Sequence, residues 1–168
     1  MERKRINIHK LVMKPGDIWE NEWFLLTAGD LEKNDYNAMT VAWGSLGTMW
    51  STPFAQVVVR PSRHTYGFMN TYDTFTLSHF PKKYQKALSY LGSVSGRDVP
   101  DKLAVAGLTP QPVLGVQAPA YREADLVIAC KKIYWQDMDE THFLQDWIRE
   151  NTPGRRSSPH LFREDRTL

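Results

Sequence analysis

The sequence predicts a mainly β protein with inserted helices, built around a small barrel. Two apolar segments, 23–29 and 37–44, follow one another across a polar connection, as the strands of a hairpin do. A third strand over 54–60 lies between Pro53 and Pro61, since proline cannot donate to a sheet ladder. Helical patterns are confined to the middle of the chain, and strands return after them. This order favours a β-barrel with added helices over alternating β/α units.

The remaining elements follow from periodicity and from Gly and Pro positions. Pro81 opens a helix in which Leu88 and Leu91 share one face, and Gly92 ends it. Ser62 is a candidate N-cap for a short helix. The other predicted elements are that helix over 63–72, a strand over 75–80, a helical turn over 101–107, strands over 112–117 and 124–135, and a last helix over 141–150.

Length and charge limit the classes of function. A chain of 168 residues, with 42% hydrophobic and 24% charged residues, forms one domain with a substantial core. The net charge of +2 comes from residue 155 onward, because residues 1–154 hold 17 basic and 17 acidic side chains. A nucleic-acid-binding protein usually carries a basic face, so nucleic acid is not an expected partner.

The lone cysteine and the absence of long apolar segments indicate a cellular compartment. Cys130 has no partner for an intrachain disulfide or a cysteine-based metal site, and it lies in an apolar run typical of an inert core thiol. The first ten residues lack the apolar region of a signal peptide, and no segment approaches the ~18 apolar residues of a membrane span. We therefore expect a cytoplasmic protein without a membrane partner.

A polar, cationic hexapeptide follows the third strand. Residues 60–65 read Arg-Pro-Ser-Arg-His-Thr. The free N–H groups at the start of the following helix would point at the same place as Arg60, Arg63 and His64, and such helix ends attract phosphate. The alternative interpretation is an ordinary capped helix with solvated arginines.

The segment Asn-Ala-Met-Thr-Val-Ala-Trp at 37–43 ends a strand with small or polar groups beside an indole. A planar heterocycle could lie against this strand and form hydrogen bonds with its backbone. The alternative is that Trp43 and Trp50 only pack in the core. Strand edge, aromatic side chain and phosphate anchor together span about the length of a mononucleotide.

These two motifs stand in order with Asp-Thr-Phe-Thr-Leu-Ser-His-Phe at 73–80, Ser-Gly-Arg-Asp at 95–98 and Lys-Leu-Ala-Val-Ala-Gly-Leu-Thr-Pro at 102–110. Together they resemble the flavin reductase-like family with its FMN-binding split β-barrel, most closely the flavoredoxin type. The resemblance runs from about Trp23 to Phe143 and implies a homodimer with FMN near the subunit interface.

The resemblance also implies which residues bind FMN. One group lines the isoalloxazine and the ribityl chain, partly through backbone atoms: Asn37, Met39, Thr40, Val41, Ala42 and Trp43. A second group holds the phosphate: Arg60, Ser62, His64 and Thr65. A third lies beside the flavin or near the 95–98 loop: Ser78, His79, Phe80 and Lys102.

The C-terminal segment departs from the family pattern. Similar proteins end with a His-x-x-Tyr-like stretch and a Gly-Glu-Ile-type final strand, whereas residues 151–168 contain two prolines, a glycine and mixed charges. This composition is typical of a flexible tail. We therefore expect a split-barrel domain over 1–150 and an atypical tail over 151–168, with the family's last strand missing or replaced.

The function that the resemblance implies is electron transfer from NADH or NADPH through FMN to an acceptor that the sequence does not identify. No catalytic acid or base is expected, because the flavin carries the difficult chemistry. Three alternatives stay open: a noncatalytic FMN electron carrier, a pyridoxamine-phosphate-oxidase-like FMN enzyme, and a cofactor-free interaction domain. His9 and His142 have no metal-ligand spacing, and we predict no metal site.

Overall fold

The computed structural model of the chain describes residues 4–150 and 161–167. Its strands are β1 (Phe24–Asp30), β2 (Asp35–Val41), β3 (Gly44–Met49), β4 (Thr52–Val59), β5 (Thr74–His79), β6 (Pro110–Val113), β7 (Val116–Tyr121), β8 (Leu126–Asp137) and β9 (Leu161–Thr167). Its α-helices are α1 (Pro15–Asp17), α2 (His64–Thr71), α3 (Gln85–Ser93), α4 (Lys102–Val105) and α5 (Asp146–Glu150). Single turns of other helix types cover Ile8–Lys10, Ile18–Glu22, Lys82–Tyr84 and Glu140–His142.

Seven of the strands form one antiparallel sheet in the order β2-β1-β5-β8-β9-β4-β3, and β6 pairs with β7. In a flat sheet the edge strands β2 and β3 would lie about 29 Å apart, since neighbouring strands are ~4.8 Å apart. Only Ala42 and Trp43 connect them, and three residue steps reach at most ~11 Å. The sheet must therefore curl until its edges approach. The Val58 N–H donates to the Trp43 carbonyl at 3.1 Å, which extends the β3–β4 pairing into this connection.

The barrel interior holds the larger of two apolar cores. Alternate residues of each strand point inward, as the twofold side-chain period of a strand requires. On β2, Met39 and Val41 are buried in this core, and on β5 Phe75 and Leu77 join it. Cys130 lies there too and is fully buried, as predicted.

The second core lies on the outer face of the same sheet. There α3 covers β2 with Leu88 and Leu91, which are almost fully buried, and Tyr121 of the β6–β7 hairpin packs beside them. Partly buried Tyr84 and Tyr90 join this cluster. One face of β2 therefore packs against α3, and the other faces the barrel core, to which α2 contributes Met69.

The C-terminal segment, for which we expected a flexible tail with the family's last strand missing or replaced, contains a strand. Residues Leu161–Thr167 form β9, which pairs antiparallel with β4 on one side and with β8 on the other. A strand therefore fills the position between β8 and β4. Residues 151–160 and Leu168 lie outside the described residues, and the domain boundary at residue 150 stays a prediction.

Three other elements differ from the prediction. Strand β3 was not predicted, and residues 112–117 belong to two strands joined by a turn at Leu114 and Gly115. Gly115 has φ of 85°, a conformation that residues with a Cβ rarely adopt. The predicted last helix over 141–150 is shorter, with α5 confined to its final five residues. The described helices include none with the length and apolar character needed to cross a membrane.

Candidate functional site

The cationic hexapeptide lies where β4 ends and α2 begins. The Arg63 N–H donates to the Arg60 carbonyl at 3.0 Å, which turns the chain sharply. Arg63, not Ser62, is the N-cap residue, and its side chain forms no capping bond. The prediction of Ser62 as the cap is therefore wrong, and Ser62 is exposed one residue earlier. Within the described part of the chain, no acceptor meets the N–H groups of His64 and Thr65, so both can bind an anion.

Five basic side chains converge on this helix end, namely those of Arg60, Arg63, His64, Arg97 and Lys102. Arg63 Nη2 donates to the Gly92 carbonyl at 2.5 Å, and Lys102 Nζ donates to the Val94 carbonyl at 3.0 Å. These bonds attach both cations to the C-terminal end of α3, where Gly92 lies in the last turn and Val94 directly follows the helix. We call the five residues the cationic corner.

Burial, together with neighbouring positive charges, lowers the pKa of three members of the cationic corner, Lys102, Arg63 and His64. Burial lowers the pKa of Lys102 to about 8, and the charge of Arg63 contributes. Burial also lowers the pKa of Arg63, with a further contribution from Arg60. The pKa of His64 falls through burial and through the charges of Arg97 and Lys102. These groups therefore experience net positive surroundings.

No carboxylate of the described residues forms an ion pair with the cationic corner. This is unusual because Lys102 is only 2% exposed, and buried charges normally have a counter-charge. A dianionic group bound among these cations would supply the missing charge. The geometry thus favours a phosphate site over the alternative of a capped helix with solvated arginines.

Asn37 joins the cationic corner from the neighbouring strand. Its side chain is buried, and Nδ2 donates to Thr65 Oγ1 at 2.7 Å. Its Oδ1 lies so close to Gly96 that a Cβ at that position would overlap it, and the same Cβ would crowd the His64 ring. Strand β2, helix α2 and the 95–98 loop therefore meet at one point.

The aromatic side of the site begins at Trp43. Its ring is 44% exposed, and the Arg60 guanidinium carbon lies 4.7 Å from the ring centroid. Trp50 is 67% exposed in the β3–β4 turn. The interpretation of both tryptophans as core residues is therefore wrong. The Trp43 indole instead lies next to the cationic corner, where it offers a flat, accessible surface.

Strand β2 offers a free backbone edge beside this indole. In the described sheet β2 pairs with β1 alone, so its other edge has N–H and C=O groups available to a heterocycle. The side chains of Met39 and Val41 point into the barrel core, and the Thr40 hydroxyl donates to the Leu88 carbonyl at 2.5 Å. These three residues can therefore reach a ligand mainly through backbone atoms, whereas Ala42 is exposed.

Three predicted residues lie elsewhere. Ser78 and Phe80 are buried, with Phe80 packed against Tyr84 and Tyr121 in the outer core. His79 Nδ1 lies 2.7 Å from Asp125 Oδ1 and its Nε2 lies 3.1 Å from Glu22 Oε2. No described contact joins these residues to the cationic corner. Their role beside a flavin stays a prediction.

Two cations of the corner, Arg63 and Arg97, were not among the FMN-binding residues that the resemblance implied. Arg63 is adjacent in sequence to the predicted ligands, and Arg97 is part of the Ser-Gly-Arg-Asp motif. Both motifs were visible in the sequence. The approach of Arg97 to His64 was not, because it depends on how the 95–98 loop folds back.

Residues 21–145 match the family model described as flavin reductase like domain. The chain belongs to the flavin reductase-like family. The predicted family and the split-barrel fold class are thereby confirmed. The family assignment favours the flavin reductase interpretation over the pyridoxamine-phosphate-oxidase alternative.

Solved structures with the same fold include two flavoredoxins. That of Desulfovibrio vulgaris (Miyazaki F) is 23% identical, with a TM-score of 0.64 over 98% of this chain and 74% of that chain. That of Methanosarcina acetivorans is 19% identical, with a TM-score of 0.67 over 100% and 74%. An NADH:FAD oxidoreductase of Streptomyces globisporus C-1027 is 12% identical, with a TM-score of 0.62 over 88% and 67%. No curated protein matches the chain.

The family and these neighbours support the predicted FMN cofactor. The described residues fit such a cofactor at both ends. The cationic corner lacks a counter-charge that a phosphate would supply, and the free edge of β2 beside Trp43 offers hydrogen-bonding groups to a ring system.

Proposed function

We propose that this protein is an FMN-dependent oxidoreductase that passes electrons from NADH or NADPH through FMN to an acceptor. The observation that carries the proposal is the cationic corner, in which a nearly inaccessible lysine and its basic neighbours have no described carboxylate partner. A mononucleotide phosphate is the dianion that best fits a flavin reductase-like domain.

The chain's own residues bind and orient the cofactor. Arg60, Arg63 and Lys102 neutralise the phosphate, and the N–H groups of His64 and Thr65 donate to its oxygens. The free edge of β2 and the Trp43 indole position the ring system. Bound FMN supplies the chemistry of hydride acceptance and electron transfer, so no side-chain nucleophile is required.

The proposal includes a homodimer in the cytoplasm. Large apolar side chains are exposed on the C-terminal part of β8 and on α5, including Trp135 at 59% and Trp147 at 61% exposure. Exposed aromatic clusters are typical of association surfaces. The one cysteine, Cys130, is a buried free thiol, which fits a reducing compartment.

The visible spectrum of freshly purified protein tests the cofactor directly. We expect flavin absorbance near ~450 nm, the signature of the bound cofactor that carries the chemistry. Protein purified without flavin should bind added FMN in a fluorescence titration. Failure to bind FMN in either experiment would refute the proposal and favour a cofactor-free interaction domain.

Steady-state oxidation of NADH and of NADPH by FMN-loaded protein tests the reaction. We expect turnover with at least one donor in the presence of an artificial acceptor. Protein that binds FMN but oxidises neither nucleotide would instead be a noncatalytic electron carrier. The two experiments therefore separate cofactor binding from catalysis.

A further inference from the structure

We propose that Asn37 does not contact the flavin ring but acts as a positioning residue, holding the Thr65 hydroxyl so that its hydrogen points at the phosphate of the bound nucleotide. This inference rests on the proposed FMN function. It reassigns Asn37 from the ring end of the site to the phosphate end.

The direction of one hydrogen bond carries the argument. Asn37 Nδ2 donates to Thr65 Oγ1 at 2.7 Å, and the same nitrogen lies 3.4 Å from the Ala38 carbonyl oxygen. This second contact fixes the amide orientation, because a flipped amide would place its oxygen against a carbonyl oxygen. Thr65 Oγ1 is therefore the acceptor.

A hydroxyl that accepts one hydrogen bond keeps its own hydrogen for another. No acceptor for the Thr65 hydroxyl hydrogen is present among the described residues. Thr65 is only 1% exposed and lies in the first turn of α2, beside His64 and its N–H group. A phosphate oxygen at this helix end would accept from both groups.

The 95–98 loop locks the amide in this position. Gly96 lies against Asn37 Oδ1 and the His64 ring, and any side chain at residue 96 would collide with the amide. Asn37 is 7% exposed and confined between Gly96 and Thr65, so its side chain cannot also extend along β2 toward Trp43. Contact with the ring is therefore left to the backbone of β2.

The experiment compares FMN with riboflavin, which carries the same ring and ribityl chain but no phosphate. Each flavin is titrated into flavin-free wild-type protein and into the variants Asn37→Leu, Thr65→Val, Asn37→Leu/Thr65→Val and Thr65→Ser. Binding is followed by quenching of flavin fluorescence. Circular dichroism of each flavin-free variant establishes that it is folded.

We expect Asn37→Leu and Thr65→Val each to weaken FMN binding by about tenfold, the effect of one lost hydrogen bond to a charged group. Riboflavin binding should change less than about twofold, because the phosphate contact is absent from that complex. The double variant should bind FMN no more weakly than the weaker-binding single variant. Both substitutions interrupt the same relay, the chain of hydrogen bonds from Asn37 through the Thr65 hydroxyl to the phosphate. Thr65→Ser keeps the hydroxyl and should retain the wild-type preference for FMN.

Equal weakening of both flavins by Asn37→Leu would overturn the inference, because it would place the amide at the ring. Additive losses in the double variant would overturn it too, since the two residues would then act independently. If Asn37→Leu does not fold, Thr65→Val decides alone, and an unchanged preference for FMN over riboflavin refutes the relay. Wild-type protein that binds neither flavin would instead refute the proposed function.

Discussion

The Arg60 guanidinium carbon lies 4.7 Å from the centroid of the Trp43 indole, and this contact joins the cationic corner to the aromatic side of the site. Arg60 can therefore act on both ends of a bound mononucleotide. In the proposed function its charge neutralises the phosphate, while its guanidinium packs on the side chain nearest the proposed ring site. Such a cation–π contact contributes about 0.5–1 kcal/mol where the ring is exposed.

Replacement of Arg60 by alanine should weaken FMN binding by ~1.5–3 kcal/mol, the range for a hydrogen bond to a charged group. A fluorescence titration with FMN measures this loss. Arg122→Ala is the control, because Arg122 is an exposed arginine between β7 and β8, whereas Arg60 is half-buried at the end of β4. Equal FMN affinity in Arg60→Ala and wild type would remove Arg60 from the phosphate site.

Replacement of Trp43 by alanine should change the absorption spectrum or the reduction potential of bound FMN while the fold is retained. The side chain is 44% exposed, so its loss leaves no large core cavity. Trp43→Phe keeps a flat ring and should give a smaller change. A spectrum and a potential identical to those of the wild type would show that the indole does not contact the flavin.

FMN affinity should fall as the pH rises above about 8. Burial and the charge of Arg63 lower the pKa of Lys102 to about 8 in the flavin-free protein, so its ammonium group is lost above that pH. A bound dianion favours the ammonium form, which means that binding is strongest below the pKa. Dissociation constants measured between pH 6.5 and pH 9.5 give the profile, and a flat profile contradicts the role of Lys102.

Replacement of Lys102 by methionine should weaken FMN binding and flatten this profile, yet stabilise the flavin-free protein. The pKa of Lys102 in the folded protein lies below its ordinary value of 10.5, so burying the charged ammonium group destabilises the fold. This destabilisation is fully present below pH 8 and disappears as the pH rises toward 10.5. Removing the charge should stabilise the flavin-free form at pH 7 by roughly 1 kcal/mol. Urea unfolding at pH 7 measures the change, and lower stability would show that the bond to Val94 matters more.

Gly96→Ala should destabilise the protein by about 1–3 kcal/mol and weaken FMN binding, since the new methyl group overlaps Asn37 Oδ1 and crowds His64. Gly67→Ala is a control of opposite sign. Gly67 lies within α2 with no atom near the position of an added Cβ, so alanine there should stabilise the helix by about 0.5–1 kcal/mol. In thermal unfolding, Gly96→Ala should therefore have a lower melting temperature than the wild type and Gly67→Ala a higher one.

Local sequence patterns predicted the strands and the helix that carry the site. Alternation and flanking prolines placed β4 within two residues of its observed start. Pro81 and Gly92 located α3, although the helix begins at Gln85 and continues one residue past Gly92. Strand β9 could not be found in this way. Its sequence Leu-Phe-Arg-Glu-Asp-Arg-Thr has little apolar character, and pairing with strands on both sides satisfies its backbone groups regardless of hydropathy.

The site shows the same division between local and long-range information. Arg60, Arg63 and His64 are neighbours in sequence, so their clustering at a helix start was predictable. The bond between Asn37 and Thr65 joins residues 28 positions apart and depends on the register that β2 and α2 reach in the folded barrel. The depressed pKa of Lys102 likewise arises from burial that only tertiary packing creates.

The position of β9 between β8 and β4 has a consequence for biosynthesis. β9 follows β4 and β8 along the chain, so the ribosome releases it after both strands with which it pairs. Until then, the edges of β8 and β4 that pair with β9 are open, and each is able to pair with another chain. During that interval the cell must keep an almost finished barrel from associating with its neighbours.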